Sequence, residues 1–216
     1  MTAAGYARAR RALMQRDPVL AAIIAKYGSC PLATAVSDDI YSGLIEAIVS
    51  QQLSVRAAAT IYGRVRALLA PAAAPTPAAV LDLTEESLRA AGLSRQKVSY
   101  VRDLSRKILD GSLPADRLTS MTDAEVIGAV TQVKGIGRWS ADMILIFRLL
   151  RPDILPVGDL GIVKAVQKAY GLRKAPTPER LIEIGERWRP YRSVASWYLW
   201  ASLDNKPLPE RRRKGL

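Results

Sequence analysis

Apolar residues in this chain recur at helical spacing along almost its whole length, and no sustained stretch alternates apolar with polar. A period near 3.6 buries one stripe of a helix, whereas a half-buried strand needs period 2 with β-branched enrichment. Ile40, Leu44, Ile45, Ile48 and Val49 set one such stripe over 40–50, and Val55, Ala58, Ala59, Tyr62, Val65 and Leu69 another over 54–70. The stops are equally clear. Asp17-Pro18 pairs an N-cap residue with proline at the first helical position, and Gly28 ends that helix. Thr84 caps 85–91 before Gly92, and Ser94 caps 95–110 before Gly111. Thr122-Asp123-Ala124-Glu125 reads as a capping box opening 123–132. Helices at 138–149, 160–170, 178–188 (started by Thr177-Pro178) and 191–203 complete the series. The stretch 71–77, with Pro71, Pro75 and Pro77, reads as a linker. The expected architecture is all-α, with about ten short helices and no internal repeat.

Two absences limit the chemistry. The chain has no histidine, which removes imidazole acid–base catalysis and His metal sites. Its one cysteine, Cys30, excludes an intrachain disulfide, a Cys-rich zinc site and a four-cysteine iron–sulfur cluster. Any catalysis must come from carboxylates, hydroxyls, amides, Lys, Tyr or backbone groups. Thirty-two Lys and Arg against 20 Asp and Glu give a net charge of +12, which favours a polyanionic partner. The Arg211-Arg212-Arg213-Lys214 run is read as a solvated end. With no run of about 18 apolar residues, no membrane span is expected. Arg8, Arg10 and Arg11 have no apolar segment behind them, so no signal peptide is read, and a cytoplasmic, nucleoid-associated location is expected.

Between two helices lies Val133-Lys134-Gly135-Ile136-Gly137. Glycines two apart permit left-handed backbone angles and leave room for a close neighbour. The helix that follows turns its free N–H groups outward near Gly137, where a phosphate is favoured and no base need be read. Lys134 and Arg138 add charge at that edge. A plain helix–helix connector would look similar, so the residues around it matter: the capping-box helix before it and Trp139-Ser140-Ala141-Asp142 after it. A second element, Leu155-Pro156-Val157-Gly158-Asp159-Leu160-Gly161, puts Asp159 22 residues beyond Gly137. Asp159 precedes a helix, so it is either a structural N-cap or a reactive carboxylate. An N-cap carboxylate accepts helix N–H bonds at the positive end of the dipole, a setting that suits an anion.

Together the two elements resemble the helix-hairpin-helix DNA glycosylase superfamily, and within it the DNA-3-methyladenine glycosylase II type without its N-terminal β domain. The similarity runs from about Tyr41 to Ser202, most of the chain. The resemblance implies two helical subdomains, 36–148 containing the hairpin, and 1–35 with 149–216 carrying Asp159, with a cleft between them. It implies a monofunctional enzyme that flips an alkylated base out of duplex DNA, hydrolyses its N-glycosidic bond and so initiates base excision repair. Asp159 would be the catalytic carboxylate, and Gln51, Trp139, Met143 and Trp200 would form the base pocket. Gln52 stands at the wedge position, with Leu53 beside it. The hairpin residues Lys134, Gly135, Gly137 and Arg138 would hold phosphate, with a Na+ or K+ bound by the carbonyls of Thr131, Val133 and Ile136. Bifunctional relatives carry a Schiff-base lysine where this chain has Trp139, so no strand cleavage is expected. No cofactor is expected to be required. The expected partner is double-stranded DNA containing damaged bases, bound by a monomer. Two other readings stay open: a non-catalytic hairpin DNA-binding protein, and a glycosylase for oxidised or deaminated bases.

Overall fold

The computed structural model describes residues 1–34, 39–69 and 74–203. The Arg211–Lys214 run and the 71–73 part of the proline stretch lie outside them. Among the described residues there are twelve α-helices, two short 3-10 turns and no strand. The helices are α1 (Ala3–Arg16), α2 (Pro18–Tyr27), α3 (Ile40–Ser50), α4 (Val55–Leu68), α5 (Pro77–Asp82) and α6 (Glu85–Ala90). They continue as α7 (Arg95–Leu109), α8 (Asp123–Val130), α9 (Arg138–Phe147), α10 (Leu160–Ala169), α11 (Pro178–Glu186) and α12 (Arg192–Leu203). Among the described residues, no helix is long and apolar enough to cross a membrane.

The caps read from sequence accept the bonds their positions require. Asp17, Thr84, Ser94, Asp159 and Thr177 each take a backbone N–H from the first turn of their helix. Thr122 and Glu125 complete both halves of the capping box. Each such cap stabilises its helix by about 1 kcal/mol. Two helices escape the sequence reading. α1 is polar and alanine-rich and buries only Gly5, Tyr6, Ala9 and Leu13, which gives a weak stripe. α5 begins inside the stretch read as a linker, because Thr76 caps it and Pro77 sits in its first turn.

The chain forms two compact units, Val36–Leu149 and Met1–Ala35 with Leu150–Leu216. In the first, α3 packs on α4, α7 and α9, α5 on α7, and α8 on α9. Leu44, Ile45, Ile48, Val98, Val101, Leu104, Val126, Val130, Ile144 and Leu145 fill the core. Complete burial of one such side chain contributes about 1.5–3 kcal/mol. The buried Tyr41 hydroxyl shares a 2.7 Å hydrogen bond with Ser105.

In the second unit α12 packs on α10 and α2, and α1 on α2. Its polar centre is Asp17, wholly buried, which caps α2 through Val19 and Leu20 and also accepts the Tyr170 hydroxyl and the Trp188 indole N–H. Trp188 is completely buried. Trp197 is only half-buried, edge-on to Tyr198 at 5.0 Å between centroids. The buried face of α12 is Ser193–Ser196 with Tyr198 and Leu199.

Candidate active site

The loop that delivers Asp159 is held at several points. Leu155 is buried with its side chain against Gly185, where an added Cβ would stand 2.7 Å from it. The Ile154 N–H donates to Ser193 Oγ at 2.9 Å, and Arg192 pairs with Asp153 at 2.8 Å, both at the start of α12. The loop closes with the Asp159 N–H donating to the Pro156 carbonyl at 3.0 Å. Asp159 is then the N-cap of α10 and is 9% exposed. Its Oδ1 accepts the Ile162 N–H at 2.7 Å and the Trp200 indole N–H at 2.8 Å. Trp200 therefore touches the carboxylate itself, from the far end of the helix that anchors the loop. Gly161 makes that contact feasible: a Cβ there would lie 2.9 Å from Asp159 Oδ1 and 3.1 Å from the Trp200 ring. Leu160, next to Asp159, is 72% exposed, an unusual setting for leucine that the sequence pattern did not single out.

In the other unit, the end of α3 and one face of α9 enclose a cavity of about 240 Å³. Gln51, Trp139 and Met143 all line it, joined by Ser50, Ser140, Phe147 and Arg148. The volume lies just below the usual small-molecule range of about 300–1,000 Å³, a size for one planar ring system. Trp139 is 46% exposed, so its ring is a wall and not core. Phe147 and Arg148 were missed, although 139, 143 and 147 share one face at i, i+4 spacing. The Arg148 side chain lies over Gly43 and pairs with Glu46. A larger hollow of about 580 Å³ opens among Ile40, Pro75, Pro77, Leu113 and Pro114. None of the residues read from sequence as catalytic, base-binding or DNA-contacting line it.

Gln51 does more than line the cavity. Its Nε2 donates to the Gly135 carbonyl at 2.9 Å and to Ser140 Oγ at 3.2 Å, tying the end of α3 to the hairpin. Gln52 follows with φ of +57°, in the left-handed region that non-glycine residues rarely adopt. Gln52 and Leu53 are both exposed. The Lys97 ammonium donates to the Val49 and Gln51 carbonyls, each at 2.7 Å, and burial pushes its pKa down from the ordinary lysine value.

The hairpin differs from the sequence expectation in one respect. Only Gly135 is left-handed, at φ of +79°, and the Tyr100 ring lies against it, 2.2 Å from where a Cβ would be. Gly137 is extended and opens onto free space. It N-caps α9 with no side-chain cap bond. The Lys134 N–H donates to Asp103 at 2.9 Å. Arg138 reaches back to the buried Asp142 at 3.0 Å, so part of its charge is already compensated. Burial raises the Asp142 pKa, and Arg138 opposes that rise. Of the three carbonyls assigned to a cation, that of Val133 accepts the Ile136 N–H at 3.0 Å and keeps a second lone pair. An all-oxygen set of this kind suits a hard monovalent ion.

The chain belongs to the HhH-GPD superfamily of base excision DNA repair proteins, whose family model matches residues 45–190. DNA-3-methyladenine glycosylase 1 of Schizosaccharomyces pombe is 34% identical over 177 residues, 81% of this chain and 78% of that protein. The alkylbase DNA glycosidase-like protein mag2 of the same organism is 29% identical over 212 residues, 97% of each chain. The solved structure of Schizosaccharomyces pombe 3-methyladenine DNA glycosylase in complex with abasic DNA superposes with a TM-score of 0.83 at 30% identity, covering 93% of this chain and 98% of that one.

Proposed function

We propose that the protein is a monofunctional DNA glycosylase that flips an alkylated purine of the 3-methyladenine type out of duplex DNA and hydrolyses its N-glycosidic bond with Asp159. The observation that carries this reading is the fastening of the Asp159 carboxylate by Ile162 N–H and the Trp200 indole at a buried helix start. A carboxylate fixed in advance stabilises positive charge that develops on the sugar, and it does so best where water is excluded. The C1′–N bond breaks with its electron pair leaving on the base. An alkylated purine is already cationic and departs neutral, so no general acid is required, which suits a chain without histidine. Water then adds at C1′ and gives up its proton, with Asp159 as the acceptor.

The target atom is inaccessible in a stacked duplex, so the nucleotide must swing out. The cavity walled by Trp139, Met143 and Gln51 is the proposed receptor, and an electron-poor base gains about 0.5–2 kcal/mol from an aromatic face. Gln52, with Leu53 beside it, is the proposed wedge, and the Lys134–Arg138 edge the phosphate grip. A Na+ or K+ held by the carbonyls of Thr131, Val133 and Ile136 would add positive charge there. With Trp139 where bifunctional relatives carry lysine, the proposed activity leaves the strand intact.

Single-turnover assays on a panel of defined-lesion duplexes test this. The protein should release a methylated purine and leave an alkali-labile but unbroken strand. Asp159→Asn should lower the rate at least about 100-fold while duplex binding survives. Undiminished excision by Asp159→Asn would sink the assignment. Shape-dependent binding with no base released from any lesion would identify a non-catalytic hairpin module.

A further inference from the structure

Three side chains on one face of α7, Lys97, Tyr100 and Asp103, each hold a different part of the proposed DNA-contacting surface. Their spacing of three residues aligns them along the helix. Lys97 takes the last carbonyls of α3 and its turn, Val49 and Gln51, at 2.7 Å each. A helix end leaves such carbonyls without intrahelical partners, and a lysine ammonium is a fitting donor to them. Tyr100 lies against Gly135, and Asp103 accepts the Lys134 N–H at 2.9 Å. The Gln51 side chain closes the circuit by donating to the Gly135 carbonyl. Two segments far apart in sequence, the 51–53 turn and the 133–137 hairpin, are thus fastened both to α7 and to each other.

We propose that Lys97 is a positioning residue for base flipping, which with Tyr100 and Asp103 sets the offset between the wedge turn and the phosphate-gripping hairpin. The inference rests on the wedge and hairpin roles given above. A grip on phosphate fixes where the protein stands on the duplex, and a rigid link makes that register determine where Gln52 enters the stack. The left-handed backbone at Gln52 is the kind of conformation that persists only when its surroundings impose it, and the Lys97 bond to the preceding carbonyl is such a restraint. Loss of Lys97 frees the turn without removing any group that touches the reacting atoms.

The test uses Lys97→Met in the full chain, with a duplex in which 2-aminopurine neighbours a tetrahydrofuran abasic analogue, so that fluorescence reports unstacking independently of excision. The unmodified protein should raise the fluorescence on binding. Lys97→Met should bind the duplex within about 3-fold yet lose most of that rise, since losing a charged hydrogen-bond donor costs about 10- to 100-fold in such an equilibrium. Single-turnover excision of 7-methylguanine paired with cytosine should slow by about the same factor and recover when the lesion faces an abasic site, where less unstacking is needed. Asp103→Ala, which releases the hairpin end of the link without touching α3, provides a second variant should Lys97→Met fold poorly. An unchanged fluorescence rise in a folded variant overturns the proposal, as does equal slowing on both 7-methylguanine duplexes. A protein that unstacks DNA but releases no base would refute the glycosylase reading and leave the fluorescence result to decide the role of Lys97.

Discussion

Gly161→Ala should separate activity from stability. Gly161 is the second residue of α10, and alanine there gains helix propensity of about 1 kcal/mol. Its Cβ would, however, stand 2.9 Å from Asp159 Oδ1, 3.1 Å from Trp200 Cδ1 and 3.2 Å from Trp200 Nε1. Ordinary contact begins near 3.4 Å, so the carboxylate and the indole must each retreat by a few tenths of an ångström. Neither is a loose side-chain tip, because they are hydrogen-bonded to each other and Asp159 is also bonded to Ile162. Overpacking of this kind costs about 1–3 kcal/mol, which the propensity gain offsets in part. The remaining loss of at most about 2 kcal/mol should lower Tm by no more than about 8 °C. Activity has no such offset. A 1 Å misplacement of a reacting group costs about 100-fold, so a half-ångström shift should cost about 10-fold in single-turnover excision. Scanning calorimetry and excision on one preparation give both numbers. Excision within 2-fold of the unmodified protein, or a rate loss accompanied by a collapse in Tm, would refute the claim that this glycine serves the carboxylate.

Trp200→Phe keeps most of the ring but removes the indole donor, and should lower excision about 10-fold with little loss of duplex affinity, read from rate and binding measured separately. Asp17→Ala removes a cap and strands the buried Trp188 N–H and the Tyr170 hydroxyl, so denaturant unfolding should show a loss of about 3–5 kcal/mol. Burial pushes the Cys30 thiol up to about 12 from an ordinary value of 9.0, and raises Tyr6 to about 12 as well. Groups whose pKa is raised in the folded state give stability that is complete below the unfolded value and is lost as pH climbs through the folded one. Stability should therefore be flat to about pH 9 and fall toward pH 12, and Cys30→Ala should shallow that fall in a pH series of unfolding curves.

Helix starts were legible because they are local. A Thr, Ser or Asp cap meets an N–H three residues on, and Asp17, Thr84, Ser94, Thr122, Asp159 and Thr177 all declare themselves within four residues of sequence. α5 was lost because prolines on both sides of Thr76 read as linker, while Thr76-Pro77 is itself a starting signal. The order of hairpin and aspartate was legible as spacing. What holds these parts was not. Trp200 reaches Asp159 across 41 residues, and Gln51 reaches Gly135 across 84. Such pairings depend on how helices pack, and a periodic pattern fixes which face is buried but not which residue it will meet. The Arg138–Asp142 pair lay within reach of sequence reasoning, since i, i+4 opposite charges attract along any helix.

The carboxylate of Asp159 is hydrogen-bonded into the opening turn of its own helix, which makes the proposed catalytic group and that turn a single melting unit. Leu160, 72% exposed, contributes little burial to hold the turn closed, whereas Ile162, wholly buried, is its anchor. Helix ends open at far lower free energy than cores do. Warming should therefore silence the protein by fraying α10 at its start, well before either core melts, and cooling should restore it at once. Heat tolerance of activity in this chain is then governed by Ile162 and the indole of Trp200, and additional packing elsewhere would raise the melting temperature without extending the working range.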